Sequence, residues 1–315
     1  MRDYIIRRVL LMFPTLIGVT LAVFMLMHLA PGDVVMAKLV EDYVPQEYID
    51  RMRAELGLDK PLHEQYLFWV SNVVRGELGT SLWSGTPVRD ELAKRIPVSA
   101  ELAALAMLVS VSIALPVGVL SAIRQDTGAD YVGRFLSIGA LSAPNFWLGT
   151  LILVLPAIWF GWAPPVRFVP LFQDPWTNLQ QMLPAAVAMG AHSSAVVMRM
   201  SRSTLLEVLR QDYIRTAWAK GLSERVVIIR HALKNALIPV VTIWGTQLSH
   251  LLGGAVVMET IFSLPGVGLA VFQAIEHRDF VQLQGTVLFI AGVFVVMNLL
   301  VDLAYSWLDP RIRYS

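Results

Sequence analysis

The sequence predicts an all-α, polytopic membrane protein with six transmembrane helices. Composition, uncharged runs and the placement of basic residues each point there. Of 315 residues, 56% are hydrophobic and 16% charged, and the mean hydropathy is +0.59. That is more apolar side chain than a soluble chain of this length buries. A bilayer core of roughly 30 Å needs about 20 apolar helical residues, because an unpaired backbone amide in hydrocarbon is costly. Six stretches lack Asp, Glu, Lys and Arg: Val9 to Leu29, Leu102 to Ala122, Phe135 to Phe160, Met182 to Met198, Leu237 to Met258 and Val281 to Leu300. The net charge of +1 leaves no basic face for nucleic acid once lysines and arginines are assigned to topology. Zero cysteines exclude a disulfide framework and thiolate metal or redox chemistry.

The first span follows Arg2, Arg7 and Arg8. It is too long for a signal-peptide core and no small-residue cleavage site follows, so it reads as an uncleaved anchor. Three regions result: 1–30 with the first helix, 31–98 as an outer cap, and 99–315 as a five-helix core with a polar insert at about 201–236. In the cap, Pro45, Gly57 and Pro61 punctuate two short helical patterns, the second carrying Tyr66, Phe68, Trp69 and Val73. The cap either covers helix ends or meets a partner at the outer face. The loop Gly161 to Gln181 holds Pro164, Pro165, Pro170 and Pro175 and is expected to be irregular.

Orientation follows from short loops, where Lys and Arg favour the cytoplasm. The segment Arg199 to Lys234 carries eight such residues, Arg199, Arg202, Arg210, Arg215, Lys220, Arg225, Arg230 and Lys234. It is therefore read as cytoplasmic, as are both termini. Within it, Glu207 to Lys220 reads as helix with Ile214, Ala217 and Trp218 on one side, and Gly221 supplies the freedom to end it. A second helix is predicted from a Ser223 cap, with Val226, Ile229, Leu233 and Leu237 at helical spacing and Pro239 at the entry to the fifth span. Ala217, Ala219 and Gly221 are small enough to admit another protein close to the backbone, with Arg215 and Lys220 reaching its acidic rim.

In the spans, Ala186, Gly190, Ser194, Gly245, Gly253 and Gly254 are candidate close helix contacts. Pro116, Pro144, Pro156 and Pro184 are candidate kinks. Polar residues at membrane depth mark a candidate pathway: His28, Asn145, His192, Gln247, His250, Asn298 and Asp302. Gln247 and His250 share a face of the fifth span, Asn298 and Asp302 a face of the sixth, and each pair either lines a cavity or joins helices. The six histidines lack metal-ligand spacing, so no metal is expected. There is no Gly-x-x-x-x-Gly-Lys-Ser/Thr phosphate loop, no Gly-x-Ser-x-Gly and no His-Glu-x-x-His. Catalytic residues and resident cofactors are thus not expected. A gradient-driven secondary transporter is the alternative of another class, and it conflicts with spans that lack charge.

Several stretches carry a resemblance in the right order. They are Pro14-Thr15-Leu16-Ile17-Gly18-Val19 with His28-Leu29-Ala30-Pro31-Gly32-Asp33, then Gly76-Glu77-Leu78-Gly79-Thr80-Ser81, then Glu259-Thr260-Ile261-Phe262-Ser263-Leu264-Pro265-Gly266, and the ending Leu308-Asp309-Pro310-Arg311. With the insert, these resemble permease subunits of ATP-binding-cassette importers of the dipeptide, oligopeptide and nickel branch. The Glu-Ala-Ala triplet of that family's coupling segment falls on Arg215, Thr216 and Ala217, and its glycine on Gly221. Only Ala217 and Gly221 match the general form, and its closing Leu-Pro is replaced by Leu233-Lys234.

The resemblance implies a coupling contact at Arg215, Thr216, Ala217, Lys220, Gly221 and Leu222. It implies two cytosolic ATP-binding subunits holding ATP and Mg, a second homologous permease and an extracytoplasmic substrate-binding protein. The location implied is the prokaryotic inner membrane. The cargo implied is di- or oligopeptide, with nickel chelates, glutathione, opines and oligosaccharides carried by near relatives.

Overall fold

The computed structural model describes residues 2–29 and 59–308, together with Glu47. The first helical pattern of the cap, with Pro45 and Gly57, lies outside the described residues, as do the side chains of His250 and Asp302 and the surroundings of Gly254. The elements are α1 (Arg2–Leu29), α2 (Leu62–Val74), α3 (Val88–Ile123), α4 (Gly128–Ser142), α5 (Asn145–Phe160), α6 (Pro175–Leu209) and α7 (Asp212–Ala219). A short turn α8 (Glu224–Val226) then leads through a π-helical stretch, Val227–Ala232, into α9 (Leu233–Ile261), followed by α10 (Val267–Glu276) and α11 (Phe280–Leu308).

Among the described residues, four helical stretches are long and apolar enough to cross a membrane: Ile6–Leu29, Val88–Ile123, Glu224–Leu248 and Phe280–Val301. A fifth results when α4 and α5, bent by 101°, are taken as one broken span. The bend has a local cause. Proline disfavours helical backbone in the residue before it, and Ala143, preceding Pro144, sits at φ −85°, ψ 127°. Pro156 and Pro184, by contrast, lie inside continuous helices. The expected fourth span, Met182 to Met198, is not among these membrane-crossing stretches. It lies in α6, whose residues are buried from Asn178 to Leu205 on several faces, so its neighbours are protein and small or polar side chains are tolerated.

The chain divides into two compact units: Ala100–Leu264 with the chain from Met297 onward, and Arg2–Ser99 with Pro265–Val296. In the first unit α6 is the central helix. Its entry is built by Asp174, whose carboxylate accepts hydrogen bonds from the amides of Trp176 (3.1 Å) and Thr177 (3.3 Å) and the Thr177 hydroxyl (2.6 Å). Pro175 follows as a first helical residue that needs no donor. These bonds, the Thr177 hydroxyl foremost, hold the Asp174 carboxyl below its ordinary range. A depressed acid stabilises the fold above its unfolded pKa and loses that contribution as pH falls through the folded value. Amide-exchange protection at Thr177 is therefore expected to be full near neutrality and to weaken below the ordinary carboxylate range, and protection unchanged at acid pH would refute the cap.

Close packing of α6 rests on absent side chains. A Cβ on Gly190 would lie 2.6 Å from the Ala106 carbonyl oxygen and 2.9 Å from Val109, and one on Gly118 would lie 2.9 Å from the Met198 carbonyl oxygen. Gly245 likewise faces Val301 at 3.0 Å. Gly253 has open space around it among the described residues, so no close contact within the chain is seen there. α4 runs antiparallel beside α6, with Gly133 against Met198 and Ala140 opposite His192 (3.3 Å).

In the second unit, α1 and α2 are joined by the Thr20 and Tyr66 hydroxyls (2.8 Å) and by His28 against Gln65 (3.0 Å). Phe24 packs on Tyr66 and Trp69, so two of the predicted α2 aromatics face α1. A separate core of Val88, Leu92 and Val267 gathers Leu78, Val281 and Phe289.

Candidate functional site

The insert after α6 folds as a two-sided lever. The predicted single helix from Glu207 to Lys220 is interrupted, because α6 ends at Leu209 and Gln211 is extended at φ −74°, ψ 149° before α7 begins. Ile214 and Ala217 of α7 are buried in a core with Ala122, Leu205, Val227, Ala232 and Ala236, and Leu222 packs against it. Trp218, expected on that face and four residues after Ile214, is nonetheless exposed, because the core that covers Ile214 and Ala217 does not extend over it. Gly221 ends the element at φ +74°, with its amide bonded to the Trp218 carbonyl at 2.9 Å. This left-handed position suits glycine.

Of the six residues implied in coupling, Arg215, Thr216, Lys220 and Gly221 are exposed, whereas Ala217 is buried and Leu222 half-buried. Ala217 thus serves the inner face and is not available for close approach by another protein. Arg215 pairs with Asp212 (3.0 Å), an exposed pair of little energetic weight, so its guanidinium stays available. Asn235 donates to the Tyr213 hydroxyl (2.8 Å), tying α7 to the next helix.

That helix departs from the predicted stripe. Val226 and Ile229 are exposed, while Val227, Ile228, Ala232 and Ala236 are buried. The mismatch is already present at Val226, before the π-helical stretch begins; the packed face is the one that meets the core of Ile214 and Ala217. Ser223 occupies the cap position but makes no side-chain cap bond; its carbonyl accepts from the Val226 and Val227 amides (both 3.0 Å).

Beside the lever lies an ion pair that spacing did not reveal. Asp130, fully buried, receives Arg202 through two bonds of 2.8 Å, Nε to Oδ1 and Nη2 to Oδ2. The Ser121 hydroxyl and the Asp126 amide (3.0 Å) also donate to it, and Arg134 lies 3.5 Å away. One carboxylate therefore joins α3, the α3–α4 turn, α4 and α6. Ser121 adjoins Ala122 of the lever's core, so the pair and the lever share a support.

Among the candidate pathway residues, Gln247 donates to the Ser193 hydroxyl (3.3 Å), joining α9 to α6. Asn298 is half-buried on α11. The side chains of His250 and Asp302 lie outside the described residues. The structure therefore supports helix pairing for Gln247.

Residues 114–314 match the family model described as binding-protein-dependent transport system inner membrane component, and residues 1–103 match the N-terminal model of the same systems. The chain belongs to this family. It is a membrane permease component, and catalysis is not its role. The permease is 40% identical to the dipeptide transport system permease protein DppB of Escherichia coli, over 100% of both chains. It is 39% identical to DppB of Alkalihalophilus pseudofirmus and 38% identical to the glutathione transport system permease protein GsiC of Pectobacterium atrosepticum, again over 100% of each. Among solved structures, an inward-facing MetNI methionine ABC transporter chain aligns with a TM-score of 0.56 at 17% identity, over 70% of the permease and 96% of that chain. An amino acid ABC transporter chain aligns with a TM-score of 0.52 at 16% identity, over 70% and 94%. At such identity these two establish the fold alone.

Proposed function

We propose that this permease is one half of the pore of an ATP-driven importer for di- or oligopeptides delivered by an extracytoplasmic binding protein. In this reading the chain crosses the membrane six times with both termini in the cytoplasm. A second permease completes the pore, and two cytosolic subunits bind ATP with Mg. The carrying observation is the two-sided α7: Ile214 and Ala217 anchor it in a core, while Arg215, Thr216, Lys220 and Gly221 stand exposed. A short helix held this way transmits a push from a partner as rigid movement and does not absorb it by bending. Full-length similarity to dipeptide permeases supports the peptide cargo; the glutathione relative makes that tripeptide the second reading.

The test is uptake of labelled dipeptides into vesicles holding the assembled complex. ATP-dependent uptake is expected, and it should vanish when the ATPase partners are catalytically inactive. Uptake that persists then would favour a gradient-driven transporter. Glutathione uptake in place of dipeptide uptake would select the second reading.

Gly221→Val tests the lever itself. Nothing lies within 4 Å of the added Cβ, so membrane insertion should be unaffected. A side chain in left-handed backbone costs about 1–2 kcal/mol, enough to shift the turn's equilibrium roughly 5–30-fold. Uptake is expected to fall by a factor of that order at normal permease abundance, and unchanged uptake would remove Gly221 from the coupling contact.

A further inference from the structure

The second unit carries a feature that lipid contact does not explain. Trp83 is 69% exposed, yet it sits in a polar loop with Ser81, Ser84 and Thr86 and not on an apolar helix. Its indole lies flat on the His277 imidazole, centroids 4.0 Å apart and planes 10° apart. The support beneath is rigid. Buried Asp279 accepts from the Ser81 hydroxyl (2.5 Å), the Trp83 amide (3.2 Å) and the Gln282 amide (3.0 Å). The loop is closed by a Ser81 amide to Thr86 carbonyl bond of 2.9 Å and a Val88 amide to Gly79 carbonyl bond of 3.0 Å. Left-handed Gly79 (φ 87°) and Gly85 (φ 70°) make these turns possible.

Next to the stacked pair is a cavity of about 170 Å³, a volume suited to one side chain, lined by Trp83, Glu91, Arg95, Gln273, His277 and Asp279 among others. Arg95 is fully committed to Glu91 (2.7 Å), Gln273 (2.9 Å) and the Gly266 carbonyl (3.3 Å). Arg95 offsets Glu91 (2.7 Å), whereas Asp279 is bonded to hydroxyl and amide donors, so the lining carries one formal negative charge. An immobilised, exposed aromatic beside a pocket that a partner's side chain can fill is the kind of anchor that dominates binding energy at protein interfaces, and pre-ordering lowers the entropy lost on docking.

We infer that the Trp83–His277 plate and its adjoining cavity are a docking seat for the extracytoplasmic binding protein, the cavity receiving a lysine or arginine side chain from it. The inference rests on the proposed importer reading, in which both segments face outward and the family's binding protein is the macromolecule available there.

The test uses the full complex in lipid nanodiscs, titrated with its binding protein while ATP hydrolysis is followed. Trp83→Ala is expected to raise the binding-protein concentration for half-maximal stimulation at least tenfold, leaving hydrolysis without binding protein unchanged. Trp83→Phe should recover most of the loss. Ser84→Arg, which places a cation at the cavity mouth, should weaken stimulation in the same way. A half-maximal concentration unchanged in Trp83→Ala, with the wild type normally stimulated, overturns the docking seat and leaves the importer reading standing. A wild-type complex that no binding protein stimulates overturns both.

Discussion

Replacing Gly190 with valine is expected to abolish accumulation of the folded permease. The added Cβ alone would lie 2.6 Å from the Ala106 carbonyl oxygen and 2.9 Å from Val109. The first of these is backbone, so no side-chain rotation relieves it, and α3 and α6 must separate. Overpacking a tight core costs about 1–3 kcal/mol and sometimes more, and separation also forfeits the dispersion contacts that hold helices together in lipid. Gly190→Ala should already lower the melting temperature of the detergent-purified protein, with the valine variant lost from the monodisperse peak in size-exclusion chromatography. Gly253→Ala provides the opposite sign. Its Cβ meets nothing, and alanine favours helix over glycine by about 0.8–1.0 kcal/mol, so stability should be unchanged or raised. A Gly190→Val protein that melts like wild type would mean that α3 and α6 do not pack as described.

Removing the charge at Asp130 should have the next largest effect. Asp130→Asn leaves Arg202, whose side chain is 20% exposed, without its counter-charge in a largely protein-lined position. Breaking a buried pair by one partner costs about 3–5 kcal/mol. Arg202→Lys keeps the charge but loses the two-pronged contact, so a smaller loss is expected. The double variant Asp130→Asn with Arg202→Gln should be less unstable than the sum of the singles, since the partners share one interaction. Thermal unfolding of the wild type, the singles Asp130→Asn and Arg202→Gln and their double variant reads this directly, and strictly additive losses would contradict the pairing. Because Ser121 bonds Asp130 while its neighbour Ala122 supports Ile214 and Ala217, surviving Asp130→Asn protein should also show a lever more open to proteolysis between α6 and α7.

How much was legible in advance differed by type of feature. The apolar runs appear as helices because a bilayer leaves a backbone few other ways to pair its amides. Gly221 as a terminator was legible because left-handed backbone is itself a glycine signal. The stripe after Ser223 was not, since Val227, Ala232 and Ala236 are buried by the core they share with Ile214 and Ala217, a contact that composition and period do not mark. The break at Arg210 and Gln211 was hidden for a similar reason: neither residue is a helix breaker, and only the packing of Ile214 and Ala217 demands a change of direction. Met182 to Met198 read as a span with helix contacts at Ala186, Gly190 and Ser194, and burial of α6 on several faces was the part that apolar length alone does not show.

The sequence by itself determined the helical class, the polar insert and its glycine stop, because solvation by lipid or water acts on each segment locally. Tertiary structure alone decided that Ala217 faces inward, that Asp130 and Arg202, 72 positions apart, meet, and that Ser81, 198 positions from Asp279, holds the loop that carries Trp83. Such contacts depend on the mutual placement of helices, and a charge or hydroxyl carries no local mark of the distant partner that will satisfy it.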